Sequence, residues 1–302
     1  MGLNLSGMTT ETRNPRTMQL DQMSPLEIVT VMNEEGARVP LAIAKCLPQI
    51  AQAVTWAAEA FEKGGRLFYM GAGTSGRLGV LDAAECPPTF GVPKEMVVGL
   101  IAGGEKAFIE AVEGAEDSRE LAVEDLKAHG LTANDLVVGI AASGRTPYVL
   151  GGLDYAKSVG CHTAAIACNI GSAIGKAAEL AIEVNCGPEV LTGSTRLKSG
   201  TAQKLILNMI STGSMVRTGK AYQNLMVDVQ QTNEKLHTRA ENIVIDATGV
   251  EREKARAAID AAGGSVKTAI TMLLADCDAK EAARRLERAH GHVREAIRLE
   301  VL

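Results

Sequence analysis

Residues 66–77 read Arg66-Leu67-Phe68-Tyr69-Met70-Gly71-Ala72-Gly73-Thr74-Ser75-Gly76-Arg77, an apolar run that passes straight into glycine and hydroxyl residues. Residues 136–147 repeat the pattern as Leu136-Val137-Val138-Gly139-Ile140-Ala141-Ala142-Ser143-Gly144-Arg145-Thr146-Pro147. Each stretch predicts a strand, a turn that carries Ser-Gly-Arg, and a helix. Such a turn points backbone N–H groups and the positive end of a helix dipole at one place, where an anion binds. Two of them predict one phosphorylated small molecule held from both sides.

Outward from these turns, short apolar runs alternate with helical patterns. The predicted strands are Leu67–Met70, Val97–Ile101, Leu136–Ile140, His162–Ala167 and Ala181–Val184. The predicted helices between them are Ser75–Glu85, Lys106–Gly130, Pro147–Val159 and Ser172–Glu179. Apolar strands separated by helices are typical of α/β proteins with a doubly wound, mostly parallel sheet covered on both faces. Ligands bind such sheets at the carboxyl ends of the strands, where both turns are expected.

The two ends of the chain are predicted to be helical. Residues 1–24 are predicted to form an irregular polar arm, the N-terminal arm. A helix should then start at Ser24-Pro25, and another should cover Leu41–Phe61. A long helix is predicted over Gly200–Val216, followed by a small three-helix module that begins near Ile243. The predicted segments are residues 1–54 (arm and helices), 55–220 (sheet domain) and 221–302 (helical segment).

Composition limits the function. The 302 residues carry 31 Lys and Arg against 36 Asp and Glu, a net charge of −5, which is unlike a general nucleic-acid-binding protein. No apolar run reaches the ~18 residues of a membrane span, and the polar start is unlike a signal peptide. The six cysteines form no CxxC pair and suggest no zinc ligand set. We therefore expect reduced thiols, a cytoplasmic location, and no metal, cofactor or membrane partner.

The first turn also matches a dinucleotide fingerprint, Gly71-x-Gly73-x-x-Gly76. That reading needs an acidic residue at the end of the next strand to hold the ribose. The predicted strand ends at Ile101, and Glu105 lies beyond two glycines. A dinucleotide site would also leave the second turn without a role, so we keep it as the weaker alternative.

Acidic residues form two candidate sites. Glu85 precedes Pro87-Pro88, which are predicted to end the helix, and a charge there opposes the helix dipole. A second group is spaced as one helical face: Glu110, Glu113, Glu116 and Glu120. From the residues alone, both sites are open between a solvated surface and a functional role. A helix from Ser75 to Glu85 separates the two by roughly 15 Å, which is more than the distance from phosphorus to C2 or C3 in a hexose phosphate. Either this helix bends or ends early, or Glu85 serves a site that a second subunit completes, and we favour the second arrangement.

The motifs resemble those of the N-acetylmuramic acid 6-phosphate etherases, which are built on the sugar isomerase (SIS) domain. The resemblance covers nearly the whole chain. The stretches that carry it are Thr10–Pro15, Gly71–Arg77, Leu81–Gly91, Val112–Ser118, Ala142–Pro147 and Thr192–Lys204, and the tail is similar to a ubiquitin-associated-like module.

The resemblance implies cleavage of the D-lactyl ether of the sugar 6-phosphate by elimination and then water addition, in cell-wall amino sugar recycling. It implies Glu85 as the acid and Glu116 as the base. The residues it assigns to substrate binding are Thr74, Ser75, Gly76, Ser143, Gly144, Thr146, Glu113 and Lys198. The distance between Ser75 and Glu85 adds a homodimer with a shared active site to this hypothesis.

Two other functions remain open. A phosphosugar isomerase would need the C2 base but no acid at a C3 leaving group. A non-catalytic sugar-phosphate sensor would resemble the glucokinase regulatory protein, which carries two tandem SIS units in a longer chain. This chain has one set of motifs.

Overall fold

The computed structural model of the protein describes residues 7–110, 112–231 and 233–299. The chain divides into two compact units. The first comprises Met1–Ala84 and Glu95–Ser211, and the second comprises Glu85–Lys94 and Thr212–Leu302. The segment boundaries predicted from the sequence, at residues 54/55 and 220/221, stay a prediction.

The first unit is built on a five-stranded sheet. Its strands are β1 Leu67–Gly71, β2 Val97–Ile101, β3 Leu136–Ala141, β4 His162–Ala167 and β5 Leu180–Glu183. Their order is β2-β1-β3-β4-β5, and every neighbouring pair is parallel. All residues of β1 and β3 are buried, which explains their continuous apolar sequences. The predicted fold class is confirmed, and each predicted strand agrees to within one residue.

Helices of the first unit surround this sheet. They are α1 Pro25–Gly36, α2 Val39–Ile43, α3 Leu47–Glu62, α4 Gly73–Phe90, α5 Lys106–Ile109, α6 Arg119–Ala128, α7 Pro147–Val159, α8 Ala173–Ala177 and α9 Lys198–Arg217, of which α4 and α9 continue into the second unit. The predicted start at Ser24-Pro25 is confirmed, because Ser24 forms a capping box with Glu27.

Helices cover both faces of the sheet, as a doubly wound fold requires. On one face, α6 and α7 bury side chains against Phe68 and Met70 of β1. Tyr69, the residue between them, points to the opposite face, where its hydroxyl donates to the Leu207 carbonyl of α9 over 3.3 Å. All three β1 side chains are fully buried, and burial of each such side chain stabilises the fold by about 1.5–3 kcal/mol.

Two helix predictions need correction. The helix predicted over Lys106–Gly130 is three pieces: α5, a 3₁₀ turn at Ala115–Asp117, and α6. Gly114 adopts a left-handed φ of +75°, and Ser118 caps α6 by accepting a hydrogen bond from the Leu121 amide. These local signals override the helical spacing of the glutamates.

The helix predicted over Leu41–Phe61 is also divided. Its residues form α2, a 3₁₀ turn at Ala44–Cys46, and α3. Proline stands in the first turn of both α2 and α3, where it is tolerated because those N–H groups have no helical partner.

The second unit is helical. Its helices are α10 Glu234–Thr248, α11 Arg252–Ala261, α12 Val266–Ala275, α13 Ala279–Arg288 and α14 Val293–Ala296, beside a small antiparallel pair, β6 Ala221–Tyr222 and β7 Leu225–Met226. These elements share one hydrophobic core. The Ala-rich tail predicted as three helices corresponds to α11, α12 and α13, and α10 and α14 add to the same core.

Candidate functional site

The two Ser-Gly-Arg turns lie side by side. Gly71 at the end of β1 pairs with Ile140 near the end of β3, so both turns leave the same edge of the sheet at adjacent strands. The chain passes from β1 outward to β2 and then returns to β3 on the other side, so β1 and β3 flank the topological switch point. Open α/β sheets bind ligands at this position. The expectation that both turns share one edge is confirmed.

The first turn passes directly from strand to helix. β1 ends at Gly71 and α4 begins at Gly73, so Thr74, Ser75 and Gly76 belong to the first turn of the helix. A Cβ on Gly76 would lie 2.6 Å from the Gly71 carbonyl oxygen, which explains why glycine is needed there. The N–H groups at the very start of a helix generally lack helical partners and favour an anion. The Gly76 N–H is not one of them, because it donates to the Ala72 carbonyl over 3.3 Å.

Ser75 is buried, and its hydroxyl is engaged. Its Oγ donates to Oε1 of Gln203, on α9, over 3.0 Å. Gln203 is 1% exposed. Thr74, beside Ser75, is half-buried. The first turn is therefore backed by a polar side chain from another helix.

The second turn is a separate loop, residues 142–146, between β3 and α7. Gly144 takes a left-handed φ of +74°, and a Cβ there would lie 2.4 Å from Cβ of Ser172. Its N–H already donates to the Ala141 carbonyl over 2.9 Å, so this amide is engaged within the turn. The Ser143 Oγ accepts a hydrogen bond from the Arg145 amide at 3.4 Å. Because that bond uses a lone pair, the Ser143 proton is available to an acceptor.

Thr146 completes the second turn. It occupies the N-cap position of α7, but its side chain makes no capping hydrogen bond. The next residue, Pro147, has no N–H group, so one fewer helical amide needs a cap. The position of the Thr146 hydroxyl at a helix N-terminus suits an anion.

The N-terminal arm braces the second turn through Asn169, which follows β4. The Asn169 amide donates to the carbonyls of Ala142 and Ser143, at 3.4 and 3.2 Å, and to Oγ1 of Thr10 at 3.0 Å. Thr10 returns a bond from its backbone N–H to Asn169 Oδ1 at 3.4 Å. The arm motif and the second turn are therefore one hydrogen-bonded structure. Neither Asn169 nor this role of Thr10 was predicted from the sequence.

Lys198 lies at the start of α9 in a buried ion pair. Its Nζ is 2.7 Å from Oε2 of Glu35, and both side chains are about 95% buried. Burial alone would raise the Glu35 pKa, but hydrogen bonds from Lys198, Arg16 and Asn14 lower it to about 2. In this arrangement Lys198 ties α1 to α9, and Arg16 and Asn14 of the arm bind the same Glu35 carboxylate. The predicted contact of Lys198 with the substrate stays a prediction.

The start of α9 is capped by another buried acid. Glu189 is fully buried and accepts hydrogen bonds from the backbone amides of Lys198 and Ser199, at 3.0 and 2.9 Å, and from the Ser199 hydroxyl at 3.0 Å. A carboxylate in this position stabilises the helix N-terminus. The hydroxyl-rich segment before α9 is thus held rigidly at its end, a role for Glu189 that sequence reasoning missed.

Glu85 lies within α4 and is exposed. The prediction that this helix stops at the prolines is wrong, because α4 continues through Pro87 and Pro88 to Phe90. Gly91, with a φ of +63°, ends it and donates its N–H to the Pro87 carbonyl over 2.9 Å. The two prolines therefore fall in the last turn, where they have no N–H group to donate to the carbonyls one turn earlier, and the bond from Gly91 closes the helix after them.

Glu113 and Glu116 do not share a helical face with Glu110 and Glu120. Glu116 lies in the 3₁₀ turn Ala115–Asp117, and Glu113 precedes it outside any helix. Both side chains are exposed. Glu116 belongs to the first unit and Glu85 to the second.

Comparison with known proteins decides the family. The chain is 62% identical to an N-acetylmuramic acid 6-phosphate etherase of Exiguobacterium sp. over 97% of this chain and 100% of that protein. It is 61% identical to the protein of that name from Serratia proteamaculans, over 98% and 99% of the two chains. The chain belongs to the N-acetylmuramic acid 6-phosphate etherase family. The resemblance stated from the motifs is confirmed.

Domain and fold comparisons agree with this etherase family membership. The glucokinase regulatory protein N-terminal SIS domain matches residues 49–157, and the SIS domain matches residues 120–212. A solved structure from Bacteroides fragilis, described as a phosphosugar isomerase involved in capsule formation, superimposes with a TM-score of 0.52 at 22% identity. It covers 67% of this chain and 95% of its own. That likeness concerns the fold.

Within the part of this etherase-family chain that the structure describes, three further observations bear on chemistry. All six cysteines are free, five of them buried, and burial raises the pKa of the Cys168 thiol to about 12. No cluster of three or more His, Cys, Asp or Glu side chains there is arranged to hold a metal ion. None of the described helices is long and apolar enough to span a membrane.

Proposed function

We propose that this chain cleaves the D-lactyl ether of N-acetylmuramic acid 6-phosphate, giving N-acetylglucosamine 6-phosphate and D-lactate. The observation that carries the proposal is the full-length membership of the etherase family. The two neighbouring turns at the sheet edge support it, because their hydroxyls and helix N-termini suit a phosphate group.

The proposed binding mode places the 6-phosphate between the two turns. Ser75, Ser143 and Thr146 supply hydroxyl groups, Thr74 lies beside Ser75, and the helix N-termini of α4 and α7 supply positive potential. Since the Gly144 amide is engaged with Ala141, we expect the hydroxyls to carry most of the contact on that side. Glu113 is proposed to contact sugar hydroxyls, and Lys198 the phosphate or the lactyl carboxylate.

The proposed reaction starts from the open-chain sugar, whose C1 aldehyde acidifies the hydrogen on C2. Glu116 removes that proton as the base, and the electron pair forms the C2–C3 double bond as the C3–O bond breaks. Glu85 donates a proton to the departing oxygen, so D-lactate leaves with the ether oxygen. Water then adds its oxygen to C3 of the unsaturated aldehyde, and C2 regains a proton.

Isotope labelling tests which bonds break and form in this reaction. In water labelled with ¹⁸O, the label should enter the C3 hydroxyl of the sugar and stay out of the lactate; in D₂O, deuterium should enter at C2. Label in the lactate would contradict elimination. Tight binding of the sugar phosphate without any lactate would instead favour the sensor function of the related regulatory protein.

The division of roles between the glutamates can be tested with Gln variants. Glu116→Gln and Glu85→Gln should each lower kcat by about 10²–10⁴-fold. Only Glu116→Gln should also abolish exchange of the C2 hydrogen with D₂O, because that exchange needs the base and not the acid. Loss of exchange in Glu85→Gln alone would reverse the assignment.

We further propose a homodimer whose active site takes Glu85 from one subunit and Glu116 from the other. Because α4 is unbroken between Ser75 and Glu85, their ten-residue separation corresponds to roughly 15 Å along the helix. Both glutamates are exposed in the single chain. Exposed apolar side chains precede them, with Leu81 47% exposed one turn before Glu85 and Ile109 81% exposed near Glu116. Such residues are typical of surfaces that a partner covers.

Mixing inactive variants tests the shared site. If Glu85 and Glu116 come from different subunits, refolding Glu85→Ala with Glu116→Ala restores one intact site in each mixed dimer, about a quarter of wild-type activity overall. Each variant refolded alone is the control. Mixed dimers that form and stay inactive would contradict the shared site.

A further inference from the structure

Gln203 has a buried nitrogen that the described contacts leave unused. Its Oε1 accepts the hydrogen bond from Ser75 Oγ at 3.0 Å. Its Nε2 is buried and contacts no acceptor among the residues that the structure describes. A buried donor without a partner is costly, and native proteins rarely keep one without a use for it.

The two ends of the Gln203 amide can exchange places by a 180° rotation with almost no change in shape. With the oxygen toward Ser75, the hydroxyl proton is held by Gln203. With the nitrogen toward Ser75, Nε2 donates to Oγ and gains a partner, while Oε1 takes the buried position without one. Each orientation therefore leaves one amide atom unpartnered among the described residues, the nitrogen in the first and the oxygen in the second. In the second orientation the Ser75 proton is free to point elsewhere. An ionised phosphate accepts hydrogen bonds, so it favours the second orientation.

We propose that Gln203 is a positioning residue for phosphate binding, which sets the direction of the Ser75 hydroxyl proton. In the absence of an anion the amide oxygen holds that proton, and in the phosphomonoester complex the amide nitrogen releases it toward the phosphate. This inference rests on the proposed function, since it takes Ser75 as a ligand of the 6-phosphate. Gln203 acts through Ser75 and does not itself contact the substrate.

A second polar bridge holds α9 in place for this role. The Asn208 amide nitrogen donates to Asp82 Oδ1 over 2.6 Å. Asp82 lies seven residues after Ser75 on α4, and Asn208 lies five residues after Gln203 on α9. The same two helices are thus tied at two points. Gln203 can therefore turn its amide without moving away from Ser75, and Asn208 offers a matched control on the same helix.

The test is calorimetric titration with N-acetylglucosamine 6-phosphate, with inorganic phosphate as a second probe. Gln203→Met, which keeps the size and removes the hydrogen bonds, should weaken sugar-phosphate binding about tenfold. Gln203→Glu should weaken it by about 100-fold, because its carboxylate can only accept the Ser75 proton and also repels the phosphate. In turnover, both variants should raise KM and leave kcat within about threefold.

A double-mutant cycle separates positioning from structure. In the Ser75→Ala background, Gln203→Met should weaken binding by less than about twofold more, since the hydroxyl it orients is gone. Asn208→Ala should lose thermal stability and keep the affinity. Equal losses from Gln203→Met with and without Ser75, or unchanged affinity in the single variant, would overturn the proposal.

Failure of the proposed function gives a different result. If the folded wild-type protein does not bind N-acetylglucosamine 6-phosphate, the proposed phosphosugar site is contradicted, and so is the role of Gln203 in it. If the wild type binds and Gln203→Met and Gln203→Glu bind equally well, only the role of Gln203 is overturned.

Discussion

The two Ser-Gly-Arg turns occupy equivalent places where neighbouring strands end, but corresponding residues of the two turns have different contacts. In the first turn, Gly76 lets a helix start against the strand carbonyl; in the second, Gly144 supplies a left-handed residue that lies against Ser172. Ser75 is buried and donates to Gln203, while Ser143 is half-buried and accepts from the Arg145 amide. The first turn is rigid through helix packing, and the second through bonds to the N-terminal arm.

The arginines differ in the same way. The Arg77 guanidinium donates to the carbonyls of Phe108 and Ala107, at 2.8 and 2.9 Å, and so supports the backbone of α5. Arg145 reaches toward the arm, with one nitrogen 3.7 Å from Sδ of Met8. The same Ser-Gly-Arg motif therefore places its arginine against α5 in the first turn and against the N-terminal arm in the second.

The largest effect is expected from the glycine of the second turn. Gly144→Ala should lower the free energy of unfolding by at least about 3 kcal/mol, because it adds a left-handed strain to a clash with Ser172. Gly73→Ala is the matched control in the first turn. Gly73 has a φ of +52° but open space around it, so the cost there should be about 1–2 kcal/mol. Urea denaturation measures both, and equal losses would contradict the difference between the turns.

The serines should differ in their effect on substrate binding. Ser75→Ala removes a proposed donor to the phosphate and leaves the buried Gln203 oxygen without its donor, so KM should rise about 100-fold. Ser143→Ala removes a half-exposed hydroxyl, and KM should rise about tenfold. Steady-state kinetics with the 6-phosphate check both values. A larger effect at Ser143 would reverse the comparison.

Arg77→Met should affect stability and spare binding. Loss of its two bonds to backbone carbonyls should cost about 1–2 kcal/mol of unfolding free energy. KM should stay within about twofold, because the guanidinium is engaged with the carbonyls of Phe108 and Ala107. A rise in KM comparable to that of Ser75→Ala would place Arg77 in the phosphate site.

The smallest effect concerns the arm. Thr10→Val removes the side-chain bond to Asn169 and should lower the free energy of unfolding by about 1 kcal/mol. Thr12→Val is the control, since the exposed Thr12 hydroxyl donates to the nearby Thr9 carbonyl within the arm. Amide hydrogen exchange should show faster exchange in residues 142–146 for Thr10→Val only. Unchanged exchange would mean that the second turn is stable without the arm.

The parts of the fold that could be predicted from the sequence are those with a strong local signal. The buried strands and both turns were found because apolar runs and glycines are local features. The prediction of one helix over residues 106–130 is wrong, because Gly114 adopts a left-handed conformation and Ser118 caps a new helix. These two features outweigh the helical spacing of the glutamates. The prediction that α4 ends at Pro87 and Pro88 is wrong, because the helix continues to Phe90 and ends at Gly91.

The supporting residues were missed because their partners are distant in sequence. Gln203 meets Ser75 across 128 residues, and Lys198 meets Glu35 across 163. One signal was present: Gln203 occupies the buried face of α9, three residues before Ile206 and seven before Ile210. A polar residue in an apolar stripe predicts a buried hydrogen bond, but its partner is set by the fold.

The most direct test of the account is D-lactate release by the wild-type protein from N-acetylmuramic acid 6-phosphate, measured beside the same sugar without phosphate. We expect release from the 6-phosphate at least about 10³-fold more efficiently than from the unphosphorylated sugar, because the two turns are proposed to bind the phosphate. Release should be lost in both Glu85→Gln and Glu116→Gln. No release by the folded protein, or equal release from the two sugars, would contradict it.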